Sequence, residues 1–180
     1  MAYATTNPYT GEVVKTFADA TDQDVQNALD KAYGAFQSWR DVSFAERAKV
    51  MTAAAKILRD NMDDYAALLT LEMGKVFAEA RAEVTLSAEI FEYYAEHAER
   101  LLAAEPLPVK NPEEGQAMLV HEPQGIVFAI EPWNFPYYQI ARIIAPPPPA
   151  GNTVILKHAS HATQCAAAFH VLIRPAGLPD

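Results

Sequence analysis

The chain has 180 residues, 51% hydrophobic and 21% charged, a globular composition that excludes intrinsic disorder and allows one ordinary domain or two small ones. Fourteen basic against 23 acidic side chains leave a net charge of −9, which excludes the basic footprint of a nucleic-acid or anionic-membrane binder. No apolar run approaches the roughly 18–20 residues that span a bilayer; the first residues lack the basic and apolar regions of a signal peptide, and the one cysteine, Cys165, cannot pair internally, so the expectation is a cytoplasmic protein.

Charge and proline divide the chain near residue 105. Up to Gly115 there are 20 acids and 11 bases, and from Gln116 onward three of each; of 13 prolines only Pro8 precedes Pro106. The first part opens on a turn, Asn7-Pro8-Tyr9-Thr10-Gly11-Glu12, flanked by short strand-like pieces such as Val13-Val14. Thr21 and Asp24 cap a helix carrying Val25, Leu29, Tyr33 (or Ala32), Phe36 and Trp39 at helical spacing. Ser43-x-x-Glu46 reads as a capping box before Val50, Met51, Ala54, Ile57 and Leu58. Further helices are expected from Tyr65 to Met73, ended by Gly74, and from about Phe77 to Leu102, ended by Pro106, Pro108 and Pro112. The acidic row Glu89, Glu92, Glu96, Glu99 reads as a solvated helix face.

The second part predicts a hairpin, 117–121 with 125–130, turning at Pro123-Gln124-Gly125. A short helix from Tyr137 to Ala145 ends at the four prolines 146–149. A strand, Thr153 to Lys157, and a last helix, about Ala162 to Arg174, follow. Strand, helix, strand, helix is the opening of a parallel α/β sheet with a right-handed crossover. The expected organisation is a helical segment over 1–115, a hairpin and first strand over 116–130, and the start of a parallel α/β core over 131–180. Ligands bind at the carboxyl ends of such strands. Both polar clusters, Trp133-Asn134 and Lys157-His158-Ala159-Ser160, fall there, although the glycine-rich phosphate loops are absent.

Pro132-Trp133-Asn134-Phe135-Pro136 and Ala150-Gly151-Asn152-Thr153-Val154-Ile155-Leu156-Lys157, with Lys157 twenty-three residues after Asn134, closely resemble the aldehyde dehydrogenase superfamily. Asn7-Pro8-x-Thr10-Gly11-Glu12 and Leu71-Glu72-Met73-Gly74-Lys75 resemble its N-terminal motifs. Lys157-His158-Ala159-Ser160 with Gln164-Cys165-Ala166 is similar to the branch that oxidises succinate semialdehyde. The resemblance implies thiolate attack on the aldehyde, hydride transfer to NADP or NAD, and hydrolysis of the thioester. It implies that Asn134 donates its amide to the developing oxyanion, a contact whose loss costs about 10²–10³ in rate. Lys157 is implied to hold the adenosine ribose, and Trp133 to line the cofactor channel; on pattern alone, a lysine could emerge into solvent and a tryptophan pack in the core.

Ser160 stands where many NAD-using relatives carry a glutamate, and a hydroxyl there tolerates the 2′-phosphate of NADP. Arg142 lies eight positions after Asn134, about six of them helical, or roughly 9 Å of rise. Helical side chains tilt toward the N-terminus, so its guanidinium can return to the aldehyde and clamp the far carboxylate of a semialdehyde, a role the resemblance supports; otherwise it is a surface arginine.

The family's nucleophilic cysteine, general-base glutamate and second glycine-bearing loop lie beyond the matched region, so these residues alone are not expected to turn over substrate. A non-catalytic nucleotide-binding or oligomerisation module and a broad-specificity aldehyde dehydrogenase are the alternatives. Cys165 reads as a small buried hydrophobe. His158, His161, Cys165 and His170 come from one segment, and no metal site is expected. The resemblance further implies that 131–180 opens the family's Rossmann-like cofactor-binding core and that the hairpin over 116–130 is the arm through which members form a homodimer or tetramer.

Overall fold

The computed structural model describes residues 3–178 of the 180; Met1-Ala2 and the closing Pro179-Asp180 lie outside the described residues. The chain opens with an antiparallel hairpin, β1 (Tyr3–Thr6) and β2 (Val13–Phe17), around the Asn7 turn, where Asn7 Oδ1 accepts from Tyr9 N at 2.9 Å. Four helices follow: α1 (Asp22–Trp39), α2 (Phe44–Asp60), α3 (Met62–Met73) and α4 (Phe77–Leu101). Their ends follow the local chemistry. Thr21 and Asp24 cap each other's backbone, Ser43 accepts from Glu46 N, and Gly74 closes α3 with φ +64°. On α1 the buried stripe is Ala32, Phe36 and Trp39, whereas Val25, Leu29 and Tyr33 remain exposed.

β3 (Glu105–Leu107) comes next, then a single 3-10 turn, Pro112–Glu114, and β4 (Ala117–Leu119). The sheet of interest is made by β5 (Ile126–Ile130) and β6 (Thr153–Lys157), joined through α5 (Pro136–Ile144) and continued by α6 (Thr163–Ala176). Contrary to the expected hairpin within 116–130, β4 pairs antiparallel with β3, and β5 pairs parallel with β6. The expected turn does not form; Gln124 N and Gly125 N donate instead to Asn152 Oδ1, at 2.7 and 3.1 Å. Asn152 thus stitches the starts of the two parallel strands. The four prolines before it form a turn held by Trp39, whose indole N–H donates to Pro148 O at 2.8 Å. α6 runs through Pro175 to Ala176, slightly beyond its expected end.

One apolar core joins the helical first part to the α/β second part. Met51, Leu58, Leu69, Val84, Phe91, Tyr137, Ile140 and Phe169 belong to it, with Phe91 and Phe169 stacked at 6.0 Å between centroids. α4 packs along α2, α3 and α5, and α6 covers α2 and α3. No helix among the described residues is long and apolar enough to cross a membrane.

Candidate active site at the carboxyl edge of the parallel strands

The β5–β6 register pairs Ile126 with Thr153 and Ile130 with Lys157, so both strands end together. Glu131 N then donates to Lys157 O at 3.1 Å, extending the ladder by one bond. The loop after β5 carries Trp133 and Asn134, and the loop after β6 carries His158 to Ser160. They touch through Trp133 and His161, whose rings lie 5.5 Å apart.

Asn134 sits exposed in the bend before α5, and among the described residues no hydrogen bond engages its amide. It therefore presents a donor to whatever occupies the rim. Trp133 is 53% exposed in the same loop. Lys157 is exposed, its ammonium 5.8 Å from the centroid of the Tyr3 ring. It helps line an open cavity of about 580 Å³ with Tyr3, His158, Thr163, Phe169 and His170. Ser160 is half-buried; its carbonyl accepts from Ala4 N at 3.2 Å and from the Thr163 hydroxyl at 2.9 Å, which anchors β1 against this loop.

Arg142 is exposed on the last turn of α5, its guanidinium carbon 5.9 Å from the Tyr138 ring one turn toward the N-terminus. It borders a separate groove of about 360 Å³ with Tyr93, Tyr94 and Glu89 of α4. Arg142 and Lys157 therefore line different hollows. Burial raises the Glu131 carboxyl above its usual range, and the charge of Arg142 opposes that shift.

Burial lowers the His158 imidazole below the ordinary histidine range. Its Nδ1 accepts from Ala159 N at 2.8 Å, and its Nε2 faces Pro136 O at 3.4 Å, so both ring nitrogens are already engaged. Burial also drives the Cys165 thiol and the Tyr137 phenol well above their usual ranges, keeping both neutral within the core.

Two residues of the site's support are invisible to pattern reading. α5 and α6 have no side-chain cap of their own, Phe135 and Ala162 occupying their N-cap positions. Two buried carboxylates from the first part serve instead. Glu83 accepts from Tyr137 N and Tyr138 N at 2.9 and 3.2 Å, and Glu72 from Gln164 N and Cys165 N at 2.9 and 2.8 Å.

The sequence matches the aldehyde dehydrogenase family over residues 1–180, and the chain belongs to that family. Its structural neighbours are aldehyde dehydrogenases with a Rossmann-like fold. It is 46% identical over 180 residues to succinate-semialdehyde dehydrogenase [NADP(+)] 1 of Mycobacterium bovis, covering all of this chain and 39% of that protein. It is 41% identical over 178 residues to succinate-semialdehyde dehydrogenase [NADP(+)] of Deinococcus radiodurans, covering 99% of this chain and 37% of that one. The crystal structure of succinic semialdehyde dehydrogenase from Streptococcus pyogenes in complex with NADP+ superposes with a TM-score of 0.92 at 42% identity. It covers 98% of this chain and 38% of that one. The chain thus spans about two fifths of the length of the curated relatives it matches.

Proposed function

We propose that the protein carrying this chain oxidises a small-molecule aldehyde, succinate semialdehyde, to its carboxylic acid with NADP or NAD. The observation that carries the reading is the parallel register, which delivers the Asn134 and Lys157 loops to one edge of the sheet. The printed activities of the relatives support substrate and cofactor. When bound, the nicotinamide supplies the hydride acceptor. The exposed Asn134 amide donates to the oxygen on which charge develops. Lys157 and Ser160 offer an ammonium and a hydroxyl, with no carboxylate between positions 157 and 160, a donor set that suits a phosphorylated ribose. Trp133 walls the cofactor side of the rim.

Arg142 would clamp the distal carboxylate of the semialdehyde with its planar fork of donors. The nucleophilic cysteine and the general base are family residues outside 1–180, so these residues alone would hold ligand without turning it over. The exposed β3–β4 hairpin, with Leu107, Met118 and Leu119 outward, is the surface for a cytoplasmic homodimer or tetramer.

The test uses the protein that carries these residues together with that cysteine and base. NADP and NAD reduction is followed with succinate semialdehyde and with butanal. Reduction with the charged aldehyde at higher kcat/KM supports the reading, and no reduction with either aldehyde rejects it. Ser160→Glu should raise the NADP KM selectively; an unchanged cofactor preference removes the role given to Ser160.

A further inference from the structure

Helix α5 begins one residue after Phe135 and two after Asn134, and its first turn is held from outside. The Glu83 side chain is 1% exposed, on α4, with one oxygen accepting both Tyr137 N and Tyr138 N. Its other oxygen pairs with the Lys75 ammonium, which arrives from the α3–α4 connection and stands 3.7 Å from the centroid of the Phe135 ring. A local serine or aspartate at the N-cap would satisfy the same donors but would leave the helix free to tilt. A carboxylate fixed in α4 instead ties the first turn of α5 to the helical scaffold. The lysine it pairs with grips the residue next to Asn134 by its aromatic face.

We propose that Glu83, with Lys75, is a positioning residue for the Asn134 oxyanion donor; this rests on the role given to Asn134 above. A buried carboxylate unused by the chemistry thereby sets where the reactive amide stands. A donor displaced by about 1 Å by a change away from the chemistry can lose on the order of 10²-fold in rate. Such loss falls on kcat, because the contact strengthens only as charge develops.

The experiment is a double-mutant cycle in the active protein, with Glu83→Ala, Glu83→Gln and Lys75→Met made alone and on top of Asn134→Ala. Glu83→Ala is expected to lower kcat about 10- to 100-fold with KM values for aldehyde and cofactor within about 2-fold. In the Asn134→Ala background it should add less than about 2-fold, since its effect passes through that amide. Glu83→Gln keeps an acceptor oxygen and should recover most of the rate. Amide hydrogen exchange at Tyr137 and Tyr138 should quicken in Glu83→Ala and stay slow in Glu83→Gln.

If Glu83→Ala does not fold, Lys75→Met carries the cycle, with a smaller kcat loss that likewise vanishes beside Asn134→Ala. Full additivity of the two changes, or quickened exchange with kcat unchanged, overturns the proposal while leaving Asn134 its role. If Asn134→Ala leaves kcat intact, the role of Asn134 fails and the proposal falls with it.

Discussion

Gly151 holds φ at +91°, and a Cβ there would lie 2.6 Å from Arg47 Nη1 and 3.1 Å from Pro123 Cγ. The position is both left-handed and crowded, so Gly151→Ala should cost about 1–3 kcal/mol, read as a lower denaturant midpoint with unchanged slope. An unchanged midpoint would mean that the turn before β6 relaxes freely. His158 gives a residue-scale effect of the opposite kind, one that depends on pH. Its folded pKa is depressed below 6.5, chiefly by burial, with the Lys157 charge pushing the same way and Glu72 against it. Below about pH 6.5 the unfolded chain takes up a proton that the fold resists, so stability present above that pH is lost as pH falls. The slope reaches at most about 1.4 kcal/mol per pH unit until the folded imidazole also titrates. Unfolding followed from about pH 7.5 to 5.5 should be steeper in the native chain than in His158→Gln, whose side chain does not titrate. Parallel slopes would show that His158 is not responsible.

Helices α1 to α4 were legible because their signals are local: Thr21 with Asp24, Ser43 with Glu46, and Gly74 each act within one turn. Glu72 and Glu83 were not, since a carboxylate in a charged segment reads as a solvated face until the helix it caps arrives from elsewhere in the chain. Glu72 lies 92 and 93 positions from the amides of Gln164 and Cys165, and it also accepts from the Thr5 hydroxyl at 2.5 Å. Glu72→Ala leaves those two donors without their acceptor at the start of α6 and should destabilise the fold by about 1–3 kcal/mol for each buried group left unpaired. Glu72→Gln, which retains an acceptor oxygen, should cost less. Equal denaturant midpoints for the two variants would show that the carboxyl oxygens do not hold α6. The exposed Thr21 cap makes a useful contrast, because Thr21→Ala loses a solvated contact worth about 1 kcal/mol.

The pairing of strands belongs to the whole molecule, and there the sequence order misleads. Nearness along the chain favours β4 with β5, but Asn152 takes the amides of the intervening turn, and β5 finds its partner across the α5 crossover. The meeting of the two polar loops was legible for the same global reason: apolar strands end in polar loops, and a parallel register brings those ends to one rim. Arg142 departs from this scheme, since it sits at the far end of α5, against α4, in a hollow separate from that of Lys157. Its proposed work therefore depends on distance: the semialdehyde must reach from the Asn134 rim back toward the groove of Tyr93, Tyr94 and Tyr138. Arg142→Leu keeps the helix and removes only the fork of donors. It should reduce kcat/KM for succinate semialdehyde by about 10- to 100-fold, the equivalent of one charge-assisted contact of about 1.5–3 kcal/mol, while leaving butanal within about 2-fold. Equal losses for the two aldehydes would place Arg142 in the packing of α5 against α4 and remove it from the recognition of substrate.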